Sequence, residues 1–553
     1  MAIKDKIEQM VREASQEAQD RGLLPQVALP DVLVERPQNP EHGDYAATAP
    51  LKLARSTRMK PLVIAQHLVD LLELAEEVDT VTIAPPGFIN FSLKEEWLKK
   101  QVDSILAVGT SYGDLEVGGG KRMQVEYVSV NPTGPLHVGH GRGAVLGSTL
   151  ARVLSAAGYS VQQEYYINDT GTQMDSFYRS LYARYLQELG VEAEMPLDGY
   201  LGEYVRELAR EIISEEGDRF KGMGQEEALR ELGSIGLRKM LDSIRDDLAQ
   251  IRVFQDVWFS EQSLYDNGQY EKVLSKLRSE GYTQEKEGAI WFVSTTLGED
   301  KDNVLVRSSG NPTYFASDIA YHYSKFVERG FDRVINVWGA DHQGHVSRMK
   351  AAVSALGVNP DRLRIIVSQM VSLRRGKDVV KVSKRSGEII TLKEVVEEVG
   401  ADPCRFFFLA RSADSQMDFD LELAKKQSED NPAYYVQYAH ARIASILKLA
   451  AEKGIDYSAG DVALLGADAE LALIRQMLRL PEVVELIATT LEPQHLPYYT
   501  QELATHFHSF YEKCRVISED EALNKARLKL VKAAQLVLAK GLDLMGMTAP
   551  ERM

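Results

Sequence analysis

The stretch MQVEYVSVNPTGPLHVGHGRGAVLGSTLARVLSAAGYSVQQEYYIND, residues 123–169, changes its texture at each step. The alternating run MQVEYVSV (123–130) reads as a strand. NPTGPLHVGHGRG (131–143) then sets Gly134, Gly139, Gly141 and Gly143 beside two prolines and the pair His137 and His140. A helical segment, GAVLGSTLARVLSAAGY, and a second strand, SVQQEYYIND, complete it. Strand, glycine turn, helix and strand in that order open a βαβ unit, and hence a parallel sheet. In doubly wound sheets, ligands bind beyond the carboxyl ends of the strands, and the first strand–helix turn meets the phosphates. Four glycines allow a close backbone approach, and the helix N-terminus offers free N–H groups and a positive dipole end to anions. His137 and His140 stand where they could donate to a phosphate chain.

Outward from this unit, residues 1–20 read as an amphipathic helix, and DTVTIAPPGFINFSL (79–93) closes a first region of mixed helix and short strand. VGTSYGDLEVGGGKR (108–122), with five glycines and no period, reads as a linker. Residues 171–285 are long helical stretches inserted before sheet-like segments resume at GAIWFV, RVINVWGADH and LRIIVSQMVSL. Beyond about residue 410 the chain reads as nearly all helix. The expected fold is α/β: a Rossmann-like parallel-sheet domain over 111–410 with a helical insertion at about 171–285. An α+β domain over 1–110 precedes it and an all-α domain over 411–553 follows.

Composition sets the outer limits. At 553 residues, 44% hydrophobic and 26% charged, the chain suits several ordinary folded domains. Cys404 and Cys514 alone exclude a disulfide scaffold and a cysteine-rich zinc site, and fit a reducing interior. No signal peptide is evident and no run approaches the roughly 20 apolar residues of a membrane span, so a cytoplasmic protein with no membrane partner is expected. The net charge of −17 argues against a uniformly nucleic-acid-binding surface. It is unevenly spread, since residues 513–540 carry seven Lys and Arg against three Asp and Glu.

HVGH (137–140), after a strand and before a helix, resembles the HIGH motif of class I aminoacyl-tRNA synthetases. KVSKRSG (381–387), about 240 residues on, resembles their KMSKS loop, with Val382 in place of methionine. Such enzymes form an aminoacyl adenylate: a carboxylate attacks the α-phosphate of ATP in line and pyrophosphate leaves, so catalysis is positioning and charge stabilisation. The resemblance gives His137, Gly139 and His140 one side of the nucleotide, and Lys381, Ser383 and Lys384 the other. Mg²⁺ would travel with ATP through phosphate oxygens and water, and no protein ligand set for a metal is evident.

A cationic amino acid needs carboxylates, and a planar guanidinium favours a forked pair. Glu126 is a carboxylate where a buried parallel strand would carry an apolar residue. In NPTYFASDIAYHY (311–323), Tyr314 and Asp318 are four apart, one face of a helical turn. Together with Asn131, five residues after Glu126, these match the arginine site of arginyl-tRNA synthetases. A further polar contact falls at His342 or Gln343 in WGADHQGH (338–345), and spacing does not choose between them.

The resemblance spans nearly the whole chain, through NPEHGDYAATAP (39–50) and PPGFINFSL (85–93) near the start to the closing APERM. It implies ATP-dependent joining of L-arginine to its tRNA through an arginyl-adenylate, with activation dependent on bound tRNA, by a monomer. It also implies a tRNA-contacting N-terminal domain and a helical anticodon-binding domain. Arg515, Lys525, Arg527, Lys529 and Lys532 read collectively as a backbone-contacting patch. Tyr435, Tyr438 and Arg442 would share one helical face that stacks on bases or packs in a core. A small nucleotidyltransferase would share the histidine turn but not the long helical C-terminus. A silent tRNA-binding paralogue would have no reason to keep the histidines and lysines.

Overall fold

The strand that begins the parallel sheet runs over Arg122–Tyr127 and is buried from Met123 onward. The structure is a computed structural model and describes residues 3–37, 39–376, 378–379 and 390–553. The polar members of the alternation do not face water. Gln124 donates to Glu164 on the neighbouring strand at 2.6 Å, and Glu126 is 5% exposed. Gln124 Nε2 thus has a partner while its buried Oε1 has none, and Glu126 is paired with Lys325 from the turn Ser324–Glu328.

The strand also ends at Tyr127, three residues before the alternation does, because Val128 and Ser129 take φ of +71° and +43°. Positive φ is strained for a β-branched residue and costs on the order of 1–3 kcal/mol. The turned backbone is tied down: Tyr165 Oη donates to the Val130 carbonyl at 2.8 Å, and Asn168 Nδ2 to the Ser129 carbonyl at 3.2 Å. The helix Val138–Ala156 then packs back on the strand through Gly147, where a Cβ would lie 2.2 Å from Tyr127 Cγ.

The five-stranded sheet is parallel throughout, in the order Leu363–Ser368, Arg333–Gly339, Arg122–Tyr127, Ser160–Ile167, Val257–Ser260. From the central strand the chain first builds one side and then returns to build the other. The topological switch therefore lies between Arg122–Tyr127 and Arg333–Gly339, where such sheets open a crevice. In register, Glu126 stands between Asn336 and Glu164.

The stretch 171–285 contains the helices Thr172–Glu188, Glu203–Glu216 and Gln225–Gln250, with a core of their own that includes Phe177, Leu181, Ile212 and Phe220. It also contains Val257–Ser260, the edge strand of the main sheet. GAIWFV contributes Ala289–Phe292 to a separate three-stranded antiparallel sheet rather than to the parallel one. LRIIVSQMVSL divides into two strands, Leu363–Ser368 and Val371–Arg375.

By packing, residues 1–110 form one unit with 443–479 and 505–536, and residues 111–442 form a second with 480–504 and 537–553. The first unit holds an antiparallel sheet in the order Val34–Glu35, Tyr45–Ala47, Phe88–Leu93, Val78–Ala84. Its helix Glu95–Val108 packs on Asp468–Met477. Arg527 pairs with Glu470 at 2.7 Å and Lys529 with Asp103 at 2.8 Å. Two of the five cations in the expected patch, Arg527 and Lys529, thus have intramolecular ion pairs. Among the described residues, no helix is long and apolar enough to cross a membrane.

Candidate active site

His137 is the N-cap of the helix Val138–Ala156, and the two histidines make a reciprocal capping box. His137 Nδ1 accepts from the Gly139 N–H at 3.1 Å, and His140 Nδ1 accepts from the His137 N–H at 3.3 Å. The rings stack with centroids 3.4 Å apart and planes 25° from parallel. An Nδ1 that accepts is unprotonated, so each neutral ring carries its proton on Nε2. Burial pushes His140 down to about 3, and this ring is neutral at physiological pH. The turn therefore presents neutral N–H donors.

The glycines of this turn serve the packing as much as any ligand. A Cβ on Gly141 would lie 2.5 Å from Leu392 Cδ1, and one on Gly134 would lie 3.1 Å from the Tyr204 hydroxyl. Lys381, Ser383 and Lys384 lie outside the described residues. The chain just beyond them is fixed at the histidine turn: Leu392 N–H donates to the Leu136 carbonyl at 2.7 Å, and Thr391 bridges His137. Arg142, fully buried, donates to the carbonyls of Gln369 (2.9 Å), Ser412 (2.8 Å) and Ser415 (2.8 Å).

Beside the switch point stands an acidic group of side chains. Asp318 is half-buried on the helix Tyr314–Tyr323, one turn after Tyr314, which is 46% exposed. The Asp318 carboxyl is pushed up to about 7 by burial and by the negative charges of Glu261 and Glu126, against the cations Arg348 and Lys325. Glu261, just past the edge strand, is 2% exposed, its Oε2 has no hydrogen-bond partner, and burial raises its pKa. Three carboxylates thus act on one another across a small region, and such a group calls for a cation.

Other members of the expected site have internal partners. Glu126 accepts from the buried Lys325 ammonium at 2.6 Å. Asn131 Nδ2 donates to Gln173 Oε1. Tyr314 stands with its hydroxyl against Gly171, where a Cβ would lie 3.1 Å from it. His342 and Gln343 are both exposed on the short turn Ala340–His345 that follows the strand Arg333–Gly339. His342 pairs loosely with Asp341 at 3.4 Å.

Three family models match consecutive parts of the chain: "Arginyl tRNA synthetase N terminal domain" over 1–93, "tRNA synthetases class I (R), catalytic domain" over 101–405, and "DALR anticodon binding domain" over 436–553. An arginine–tRNA ligase of Dehalococcoides mccartyi is 57% identical over 553 residues, covering 100% of this chain and 99% of its own. The chain belongs to the arginyl-tRNA synthetases. A Campylobacter jejuni structure described as an arginyl-tRNA synthetase aligns with TM-score 0.77 and 34% identity over 83% of this chain and all of its own. The Thermus thermophilus arginyl-tRNA synthetase shares the fold along both whole chains, with TM-score 0.79 at 24% identity.

Within this family frame, the sequence reading passed over two side chains of the acidic region. Glu261 lies inside the stretch read as inserted helix, where one more glutamate carries no signal. Lys325 continues the polar stripe of Tyr314, Asp318 and His322 along an otherwise apolar helix, and that stripe could have pointed to it. On the helix Pro432–Glu452, Tyr434 stacks on Tyr438 and Arg442 lies over Tyr438 at 5.2 Å.

Proposed function

We infer that this chain is an arginine–tRNA ligase that works through an arginyl-adenylate, and that its site divides into a phosphate side and a cation side. The arginine carboxylate attacks the α-phosphate of ATP and pyrophosphate leaves. A ribose hydroxyl at the tRNA 3′ end then attacks the activated carbonyl, and AMP leaves. His137 and His140 donate from Nε2 to the phosphates, with the Gly139 region of the helix N-terminus beneath them. Lys381, Ser383 and Lys384 are assigned the leaving pyrophosphate.

Asp318 and Glu261 take the guanidinium, with Tyr314 at its edge. Glu126, already shared with Lys325, joins them on the guanidinium, and Asn131 orients the amino-acid end. Gln343, on the turn beyond the neighbouring strand, supplies a further polar contact. Among the described residues, no group of three or more His, Cys, Asp or Glu side chains is arranged to hold a metal ion. Mg²⁺ is read as travelling on the phosphate oxygens of ATP.

The observation that carries this reading is the acidic group around Asp318, in which Asp318 and Glu261 have no cation hydrogen-bonded to them among the described residues. The reading extends to an N-terminal tRNA-binding domain over 1–110, a catalytic domain over 111–410, an anticodon-binding domain over 411–553, and a monomeric cytoplasmic enzyme. ATP–pyrophosphate exchange with each amino acid, with and without tRNA, tests it. Exchange that needs both arginine and tRNA is the expected result. Exchange with another amino acid, or none at all, overturns it.

A further inference from the structure

Lys325 is fully buried, yet the reading above gives it no part in the reaction. It sits on the π-turn Ser324–Glu328 that ends the Asp318 helix, and widened turns of this kind are frequent at functional sites. Its ammonium donates to Glu126 Oε2 at 2.6 Å and to Asn336 Oδ1 at 3.1 Å, and lies 4.0 Å from the centre of the Tyr321 ring. Asn336 Nδ2 in turn lies 2.9 Å from His322 Nε2, and His322 Nδ1 lies 2.7 Å from the Asp318 carbonyl. A continuous buried chain therefore runs from Glu126 through Lys325, Asn336 and His322 to the backbone of Asp318.

We propose that Lys325 is a positioning residue for arginine: it fixes one oxygen of Glu126 so that the other addresses the substrate, and it locks Glu126 to the turn that carries Asp318. The inference rests on the arginine-pocket reading. Exposure runs the right way, since the Lys325 side chain is 0% and the Glu126 side chain 7% exposed. The pair thus offers only its carboxylate outward. Replacing a buried ion pair by apolar side chains often leaves stability unchanged, so stability alone gives little reason to keep a lysine here. The charges also fit. With its three carboxyls ionised, the group of Glu126, Asp318 and Glu261 facing Lys325 and Arg348 leaves one negative charge for one cationic side chain. Tyr166 and Tyr321 face the same region, and Glu164 is occupied by Arg329 at 2.7 Å.

Aminoacylation kinetics of the full chain test the proposal with Lys325→Met, Glu126→Gln, the double variant and Asp318→Asn. Lys325→Met should raise the KM for arginine about tenfold or more while the KM for ATP stays within about twofold. In the Glu126→Gln background the same change should add less than about twofold, because the lysine acts through that carboxylate. If Asp318→Asn raises the arginine KM but Lys325→Met does not, or if Lys325→Met weakens arginine and ATP equally, the inference fails and the pocket reading stands. If Asp318→Asn leaves the arginine KM unchanged, the pocket reading itself fails. Should Lys325→Met not fold, Asn336→Ser removes one of the two acceptors of the ammonium without stranding a charge. It should raise the arginine KM about threefold, and no rise there overturns the inference.

Discussion

Asp318 is a carboxyl held close to its tipping point. It titrates near 7 because burial and two neighbouring carboxylates oppose its charge. The form that pairs with a guanidinium therefore grows as pH rises, and the arginine KM should fall between about pH 6 and pH 8 and level off above. Asp318→Asn should flatten this profile, and Asp318→Ala should cost on the order of 3–5 kcal/mol in kcat/KM for arginine. The stability consequence has the opposite sense. An unfolded aspartate ionises near 3.9, so through the window up to about 7 the folded chain holds the extra proton and stability falls as pH rises. The Tm of Asp318→Asn should thus gain on the parent between about pH 5 and pH 8, and parallel melting curves would refute the assignment. His140 behaves differently, being neutral throughout this range. His140→Ala should lower the rate of adenylate formation about 10²–10³-fold, as loss of one preorganised donor does, with little change in arginine KM. At this scale the sequence singled out Glu126 by a carboxylate in a strand and Asp318 by its spacing from Tyr314, and the structure shows the first buried and the second half-buried. The sequence was silent where a glutamate lies among many, as at Glu261.

The βαβ unit is the element on which the site depends, and its order of strand, turn and helix could be read directly from period and glycine content. Its ends could not. The strand stops at Tyr127 because Val128 turns to positive φ, a choice imposed by tertiary hydrogen bonds to residues 165–168 and invisible to alternation. Gly141 was read as clearance for a ligand but also admits Leu392, and Gly147, which the sequence did not single out, admits Tyr127. A paired substitution separates these uses. Gly147→Ala places a carbon 2.2 Å from Tyr127 and should destabilise the chain by about 1–3 kcal/mol, dragging the histidine turn with it. Gly143→Ala meets nothing within 4 Å on the same helix and should stabilise it by about 0.5–1 kcal/mol. Equal melting temperatures for the two variants would show that helix and strand do not approach as described.

For the whole molecule, alternation between sheet and helix announced the α/β body, but not which distant segments close on one another. Residues 443–479 and 505–536 join the first 110 residues in one unit through pairs such as Arg475 with Asp44 at 2.7 Å. No local pattern encodes a partner that far along the chain. The last six residues make the same point, since Thr548 and Pro550 have structural partners that the sequence alone does not reveal. Gln437 donates to the Thr548 carbonyl at 3.0 Å, the Thr548 N–H to Asp402 at 3.1 Å, and His440 Nδ1 lies 2.8 Å from the Pro550 carbonyl. Removing residues 548–553 leaves Gln437 and His440 without these partners and should lower stability by about 3 kcal/mol, read by denaturant unfolding. What the account asserts above all is a cation pocket beside a phosphate turn. A crystal structure of the chain with a non-hydrolysable arginyl-adenylate analogue measures that directly. Guanidinium nitrogens should lie about 3 Å from carboxylate oxygens of Asp318 and Glu261, with the phosphate at the Nε2 atoms of His137 and His140. A guanidinium bound away from both carboxylates would contradict it.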